Sequence, residues 1–204
     1  TITKDIRKAI INAGKPKELV HHVPNFIQMP KDIEYHKPTF HSPIILGFMG
    51  RFVQKKGLDV LLRACEVLKS RHHNFKLLIA GDGEEKGNVE KMIHELGLKS
   101  HVSLIGWVSN KCDFFRSIDV FCLPSHHEPF GLVLLEAFMY SVRVVATKSE
   151  GPSEIATDGK TILFAPINDH IKFADNIEKI IKNPSQAEHL TYEGFQRVEH
   201  YSAW

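Results

Sequence analysis

From Pro43 onward the chain alternates short, wholly apolar runs with longer runs whose apolar positions fall on one helical face. Ile44-Ile45-Leu46-Gly47-Phe48-Met49 is apolar throughout and stops at Gly50; Phe75 to Ala80 is closed by Gly81-Asp82-Gly83. His101 to Ile105, Asp119 to Leu123, Val142 to Thr147 and Thr161 to Ala165 read the same way. Between them, Leu58, Leu61, Leu62, Cys65 and Leu68 recur at helical spacing, as do Val89, Met92, Ile93 and Leu96 before a stop at Gly97. Lys111 to Ser117 and Ser153 to Thr157 predict short helices. Gly131 to Tyr140 predicts a buried helix, apolar on most sides except at Glu136. Ile171, Ala174, Ile177, Ile180 and Ile181 form a helix face that Asn183-Pro184 stops, and a last helix runs from about Gln186 to His200.

Strands that are apolar throughout, each followed by a helix, predict a parallel sheet covered on both faces. The expected fold is α/β: a doubly wound, Rossmann-like domain over residues 43–204. Ligands bind beyond the carboxyl ends of such strands. The loops to inspect are therefore Gly50-Arg51, Gly81 to Gly83, Gly106-Trp107-Val108 and Ser125 to Gly131.

Residues 1–42 break the alternation. Lys4 to Ala13 predicts one helix, stopped at Gly14, and Val20 to Val23 a strand. Pro24, Pro30, Pro38 and Pro43 then punctuate a stretch too Pro-rich for regular structure. This segment is expected to be the tail of an absent N-terminal domain and the linker to it. The start at Thr1-Ile2-Thr3-Lys4, with no initiator Met and no signal segment, and the end at Tyr201-Ser202-Ala203-Trp204 read as cuts in a longer protein.

Charge removes some partners. Lys and Arg number 26 against 24 Asp and Glu, too balanced for nucleic acid or an anionic membrane surface. The longest apolar runs are too short to span a bilayer. Cys65, Cys112 and Cys122 form no C-x-x-C and are odd in number, which reads as reduced thiols in a cytoplasmic protein.

Three strand-end loops carry candidate chemistry. Gly50 to Gly57 places Arg51 at a strand tip and Lys56 just before a helix. The planar guanidinium fork grips phosphate oxygens and the ammonium adds a point charge, although lysines in a loop are equally compatible with simple solvation. Gly81-Asp82-Gly83 permits close backbone approach to a ligand or a tight turn. Its spacing to Gly87 misses G-x-G-x-x-G by one residue, which disfavours a dinucleotide-dependent dehydrogenase. In Ser125 to Glu136, Glu128 lies at a strand tip and Glu136 within an apolar helix, where a carboxylate must be paired or liganded. The free N–H groups at Gly131 to Val133 favour an anion. The structural alternative is a core helix whose Glu136 pairs with a Lys or Arg. His126-His127-Glu128 lacks the spacing of a zinc site, and no Asp-x-Asp pair is present to clamp Mg²⁺. No metal and no cofactor are expected.

Glu128 and Glu136, separated by seven residues with Phe130-Gly131-Leu132 between them, resemble the E-x7-E signature of retaining GT-B glycosyltransferases, in the family called glycosyltransferase group 1, or family 4. Other segments follow that family's order. Gly50-Arg51 with Lys56-Gly57 resembles its "GR…KG", Ala80 to Gly83 its "GxG" turn, and Val102 to Val108 its "V-x-F-x-G-x-V" strand. Asp119 to Ser125 resembles "ADVFVLPS"; Val144 to Thr147, Gly151-Pro152-Ser153-Glu154-Ile155 and Asp158-Gly159 follow; Pro24-Asn25 resembles the "PN" of the interdomain junction. Departures are Pro129 in place of the commoner Gly, Ser141-Val142-Arg143 where "G-x-P" is usual, and Ile162 where Gly is common.

The resemblance implies the C-terminal, donor-binding half of a two-domain hexosyltransferase, inactive without its N-terminal half. Arg51 and Lys56 would hold the donor diphosphate and neutralise it as it leaves. Glu136 would bind the ribose hydroxyls and Glu128 the donor sugar. The backbone of Phe130, Gly131, Leu132 and Val133 would meet sugar and phosphate, Gly81 would border the site, and Val108 would meet the base. Glu128, Arg51 and Lys56 would be the catalytic set, acting with retention of configuration and without a metal. The partners implied are a nucleotide-diphosphate sugar and a glycan or lipid-linked acceptor, with envelope polysaccharide synthesis the expected role. The location implied is cytoplasmic, at the inner face of the membrane through the missing half. A non-catalytic nucleotide-sugar binding module is the alternative.

Overall fold

The structure is a computed structural model that describes residues 1, 3–30 and 32–203; Ile2 and Trp204, named above at the two ends, lie outside the described residues. In chain order the elements are α1 (Lys4–Asn12), β1 (Ile27–Gln28), β2 (Ile44–Met49), α2 (Leu58–Ser70), β3 (Phe75–Ala80), α3 (Lys86–Glu95), β4 (Val102–Gly106) and α4 (Lys111–Arg116). They continue with β5 (Val120–Leu123), α5 (Leu132–Met139), β6 (Arg143–Thr147), α6 (Glu150–Ile155), β7 (Leu163–Ala165), α7 (His170–Lys182), α8 (Pro184–Val198) and β8 (Ser202–Ala203).

Six strands form one parallel sheet in the order β4-β3-β2-β5-β6-β7. The strands are apolar on both sides because both faces are covered. Along β5, Val120 and Cys122 join the core shared with α2, α3 and α7, while Phe121 and Leu123 join the core shared with α4 and α5. The amphipathic helices supply the matching faces: Leu58, Leu61, Leu62, Cys65 and Leu68 of α2 are all buried. Phe173, Ala174, Ile177 and Ile180 of α7 do the same on that side of the sheet.

Strand order reverses between β2 and β5, so the connections after these two strands diverge and open a crevice at their carboxyl ends. The predicted α/β, doubly wound class is the observed one. Two helices are displaced from expectation. The short helix starts at Glu150 rather than Ser153, and the last helix starts at Pro184 itself. Proline lacks an N–H that the first helical turn would leave unbonded anyway, so it opens α8 as readily as it ends α7.

The opposite, amino end of the sheet is sealed by charge. Asp119, 1% exposed, accepts the N–H groups of His41 (3.0 Å) and Ile45 (2.7 Å), and His41 Nδ1 lies 2.9 Å from the same carboxylate. Arg143, 2% exposed, donates to the carbonyls of Pro38 (2.7 Å), Thr39 (3.3 Å) and Asp119 (3.3 Å), with its guanidinium 3.8 Å from the centre of the Phe40 ring. Ser141 Oγ accepts the N–H of His36 at 3.2 Å. The Pro-rich stretch is thus strapped to the sheet by Ser141 and Arg143, two residues at the position where the sequence departs from "G-x-P". Its N–H-poor backbone offers carbonyls, and a long cationic fork collects them.

Among the described residues, 20–23 join neither sheet: Val20 O accepts from Arg7 Nε (2.7 Å), and His21 O and Val23 N–H bond only to Thr1 at the start of the chain (2.6 and 2.8 Å), leaving Val23 exposed. The paired segment lies further on, at Ile27–Gln28, which meets Ser202–Ala203 in parallel. Glu154 holds the start of the chain, accepting Lys4 N–H (2.9 Å) and pairing with His22 (3.0 Å).

Candidate functional site

The loop after β2 turns at Gly50, exposes Arg51 and passes through a single 3-10 turn, Gln54–Lys56, before α2. The loop after β5 runs beside it. Lys55 O accepts the N–H groups of His126 (2.9 Å) and His127 (3.3 Å), so the two loops flanking the reversal are joined through backbone. This junction delivers Lys56 Nζ to within 2.5 Å of Glu128 Oε2. Glu128 is only 7% exposed, which makes a cation partner obligatory.

Gly131 then caps α5 without a side-chain bond. Leu134 N–H is committed to Gly131 O (2.9 Å), whereas the N–H groups of Leu132 and Val133 have no partner among the described residues. These two donors and the positive end of the helix dipole face the crevice and suit an anion. One turn on, Glu136 meets Lys111 Nζ at 2.6 Å, the lysine arriving from the start of α4 after β4. The structural pairing that the sequence left open for Glu136 therefore exists, and its lysine is itself half-exposed at the cleft.

These loops enclose a cleft of about 960 Å³. Arg51, Lys56, Gly81, Val108, Glu128, Phe130, Gly131, Leu132, Val133 and Glu136 all line it. Asn25, Gln54, Trp107 and Lys111 line it too and were not singled out from the sequence. Trp107, 70% exposed, had a signal, since it follows directly on a strand end in the Gly106-Trp107-Val108 loop; Lys111, which opens α4 five residues after β4, had none. Asn25 had none beyond its place in the Pro24-Asn25 pair. Phe130 contributes backbone only, since its ring is buried against Tyr201.

The two glycines of the second loop have a structural reason. A Cβ on Gly81 would lie 1.9 Å from Gly50 O, and one on Gly83 would lie 2.4 Å from Phe52 O. Backbone presses on backbone here, so these glycines join the loops after β2 and β3, and Gly81 reaches the cleft as part of that wall. His126 and His127 diverge, to Asp59 (3.2 Å) and Glu150 (2.7 Å) respectively. Among the described residues no group of three His, Cys, Asp or Glu is placed to hold a metal ion.

The family model for glycosyl transferases group 1 matches residues 29–197. The chain is 36% identical over 157 residues to the lipopolysaccharide core biosynthesis glycosyltransferase LpsE of Rhizobium meliloti (strain 1021), covering 77% of this chain and 45% of that protein. It is 31% identical over 167 residues to the capsular polysaccharide biosynthesis glycosyltransferase CapM of Staphylococcus aureus, covering 81% of this chain and 44% of that one. In three dimensions it resembles a TarM variant of S. aureus, solved with fondaparinux, alpha-GlcNAc-glycerol and UDP. The TM-score is 0.88 at 25% identity, over 98% of this chain and 40% of that chain. The chain thus spans about half the length of the curated relatives it matches. No helix among the described residues is long and apolar enough to cross a membrane.

Proposed function

Because the chain belongs to the glycosyl transferases group 1 family, we propose that its cleft binds a nucleotide-diphosphate sugar and that the whole protein transfers the sugar, with retained configuration, to a glycan or lipid-linked acceptor in polysaccharide synthesis. The observation that carries this reading is the convergence, at the strand-order reversal, of Arg51, Lys56, two unbonded helix N–H groups and two carboxylates in one cleft. Each has a task the donor poses. Arg51, the N–H groups of Leu132 and Val133, and Lys56 receive the diphosphate; as the glycosidic bond breaks, the charge developing on that leaving group meets fixed donors and cations, which need no reorganisation. Glu136 accepts two hydrogen bonds from the vicinal ribose hydroxyls, and Lys111 holds its carboxylate in place. Trp107 and Val108 offer the base an apolar face. Glu128, oriented by Lys56, faces the transferred sugar, where a carboxylate stabilises the positive charge that grows on the ring as the bond to the diphosphate lengthens.

The reaction so drawn takes its neutralising charge from Arg51 and Lys56 and requires no metal, and we place it in the cytoplasm. Thermal shift with UDP-, GDP- and ADP-sugars, and NAD as contrast, tests the binding step: ligands that bind only the folded chain raise its melting temperature. A nucleotide-sugar should do so and NAD should not; the reverse would reject the reading.

A further inference from the structure

Glu150 lies at the start of α6 and is not among the residues that line the cleft. Its two carboxylate oxygens nonetheless both grip the Glu128 loop. Oε1 is 2.7 Å from His127 Nδ1, and Oε2 accepts the N–H of Glu128 at 3.2 Å. The next residue completes the hold, since Gly151 N–H donates to Glu128 O at 2.8 Å. Gly151 is packed so closely on this loop that a Cβ there would sit 2.1 Å from Phe130 O. Burial alone would raise the Glu150 carboxyl, but hydrogen bonds from its own N–H, from His127 and from the Glu128 N–H outweigh it and hold the group below its ordinary value. The carboxylate form is therefore the one these contacts select.

Glu128 is thereby fixed at three points. Lys56 holds its carboxylate, Glu150 its N–H and Gly151 its C=O. Only the first faces the cleft. A loop between a strand and a helix, interrupted by Pro129 and ending on Gly131, has little regular structure of its own to fix Glu128. We propose that Glu150 is a positioning residue that sets the backbone of Glu128 from behind, through a two-oxygen bracket on His127 and Glu128, and so sets where the Glu128 carboxylate meets the donor sugar. The second half of this statement rests on the donor reading above; the first half stands on the bracket alone.

The test uses this chain with Glu150→Ala and Glu150→Gln. Gln keeps one oxygen for the Glu128 N–H and an amide that can donate to His127, so it should rescue what Ala loses. By NMR hydrogen exchange, Glu150→Ala should speed exchange of the Glu128 amide by about tenfold or more, the factor expected when a hydrogen bond to a charged acceptor is lost. Glu150→Gln should stay near the wild-type rate, and amides of β2 and α2 should not change in either. Calorimetry with UDP and UDP-glucose adds the functional arm: Glu150→Ala should bind UDP like the wild type and lose the extra affinity contributed by glucose, and Gln should restore it. Should Glu150→Ala fold poorly, His127→Ala removes one side of the bracket and should speed Glu128 exchange by a smaller factor. Unchanged Glu128 exchange in Glu150→Ala, or equal losses in Ala and Gln, would overturn the bracket. If the wild type gains nothing from the sugar of any UDP-, GDP- or ADP-sugar, the donor reading fails, and the exchange rates still decide the bracket.

Discussion

The two ends of the sheet hold charges of the same types and use them differently. At the amino end, Asp119 and Arg143 are buried, and backbone groups of the chain itself fill most of their bonding capacity: two N–H groups for the carboxylate, three carbonyls for the guanidinium. Burial pulls the Arg143 guanidinium down from its ordinary range, against the opposing pull of Asp119. At the carboxyl end, Lys56–Glu128 and Lys111–Glu136 are single side-chain pairs at the rim of a cleft, and Arg51 makes no ion pair among the described residues. A charge that is buried and bonded mainly to backbone atoms of its own fold is out of a ligand's reach, even where one position, Arg143 Nε, has no partner among the described residues. A charge held by one lysine side chain at the cleft, or by none, can exchange that partner for a phosphate or a diol. The difference between structural and ligand-facing charge therefore lies in what completes each group's hydrogen bonds, and residue type alone does not reveal it.

The largest expected effect comes from breaking the sealed end. Asp119→Ala strands the partly buried N–H groups of His41 and Ile45; a donor left unbonded costs about 1–3 kcal/mol when fully buried, so a loss of up to about 2–6 kcal/mol in urea unfolding is expected. Nucleotide affinity of the fraction that stays folded should be unchanged; a selective loss of affinity would erase the contrast between the two ends.

Next comes the open end. Arg51→Ala should weaken nucleoside-diphosphate binding by ~1.5–3 kcal/mol, the range for charge-assisted hydrogen bonds, and Lys56→Ala should follow in the same direction. The melting temperature of Arg51→Ala should hold, because Arg51 is exposed and pairs with no described residue. Calorimetry that finds normal affinity in both variants would remove the diphosphate cradle.

The two glutamates sharpen the comparison within the cleft. Glu136→Gln should raise the Kd for the bare nucleotide by roughly tenfold, since a neutral amide replaces the anionic acceptor of two hydroxyls. Glu128→Gln should leave that Kd nearly intact and lower kcat of the full-length enzyme, the pattern of an interaction made in the transition state. Equal losses of nucleotide affinity in both, or loss of folding alone in Glu136→Gln, would reject the division of labour.

The smallest effect belongs to a third group of charges, on the outer surface between α2 and α7. Glu178 is held down to about 2 by its hydrogen bonds to Lys182 and then His73, with Arg71 Nη1 2.8 Å away. A carboxyl depressed in the fold adds stability above its unfolded value and loses it as pH falls toward the folded one. Glu178→Gln should therefore flatten the acid limb of the stability curve between about pH 4.5 and 2. Solvent screening of these exposed partners keeps the change below ~1 kcal/mol.

Much of this arrangement is legible in the residues. Apolar runs with no alternation announce strands buried on both faces, and the helical spacing of Leu58 to Leu68 or Ile171 to Ile181 announces their covers. Cleft residues are legible because a doubly wound sheet puts chemistry at strand ends: Arg51 and Glu128 sit in loops that follow a strand, and Glu136 lies one turn into the helix behind Glu128. Pairings across long separations are less so: Lys111 and Glu136 are 25 residues apart and meet only through the β4–β3–β2–β5 order. The strap made by Ser141 and Arg143 was hidden for a related reason. A Pro-rich segment reads as unstructured because it lacks ladder donors, yet its carbonyls suit a buried arginine. Val20 to Val23 has strand composition but, among the described residues, joins neither sheet, its His21 O and Val23 N–H bonding only to Thr1, and the ladder forms at Ile27–Gln28, which finds Ser202–Ala203 from the far end of the chain.

The central claim is that the open end of the sheet, and not the sealed one, takes the nucleotide. Backbone amide shifts recorded by NMR during titration with whichever of UDP, GDP or ADP binds most tightly test it residue by residue. The account predicts the largest shifts at Gly50-Arg51, Trp107-Val108 and Leu132-Val133, with residues 36–45, Asp119 and Arg143 still. Shifts centred on the Asp119–Arg143 end, or saturable binding that leaves Leu132 and Val133 unmoved, would contradict it.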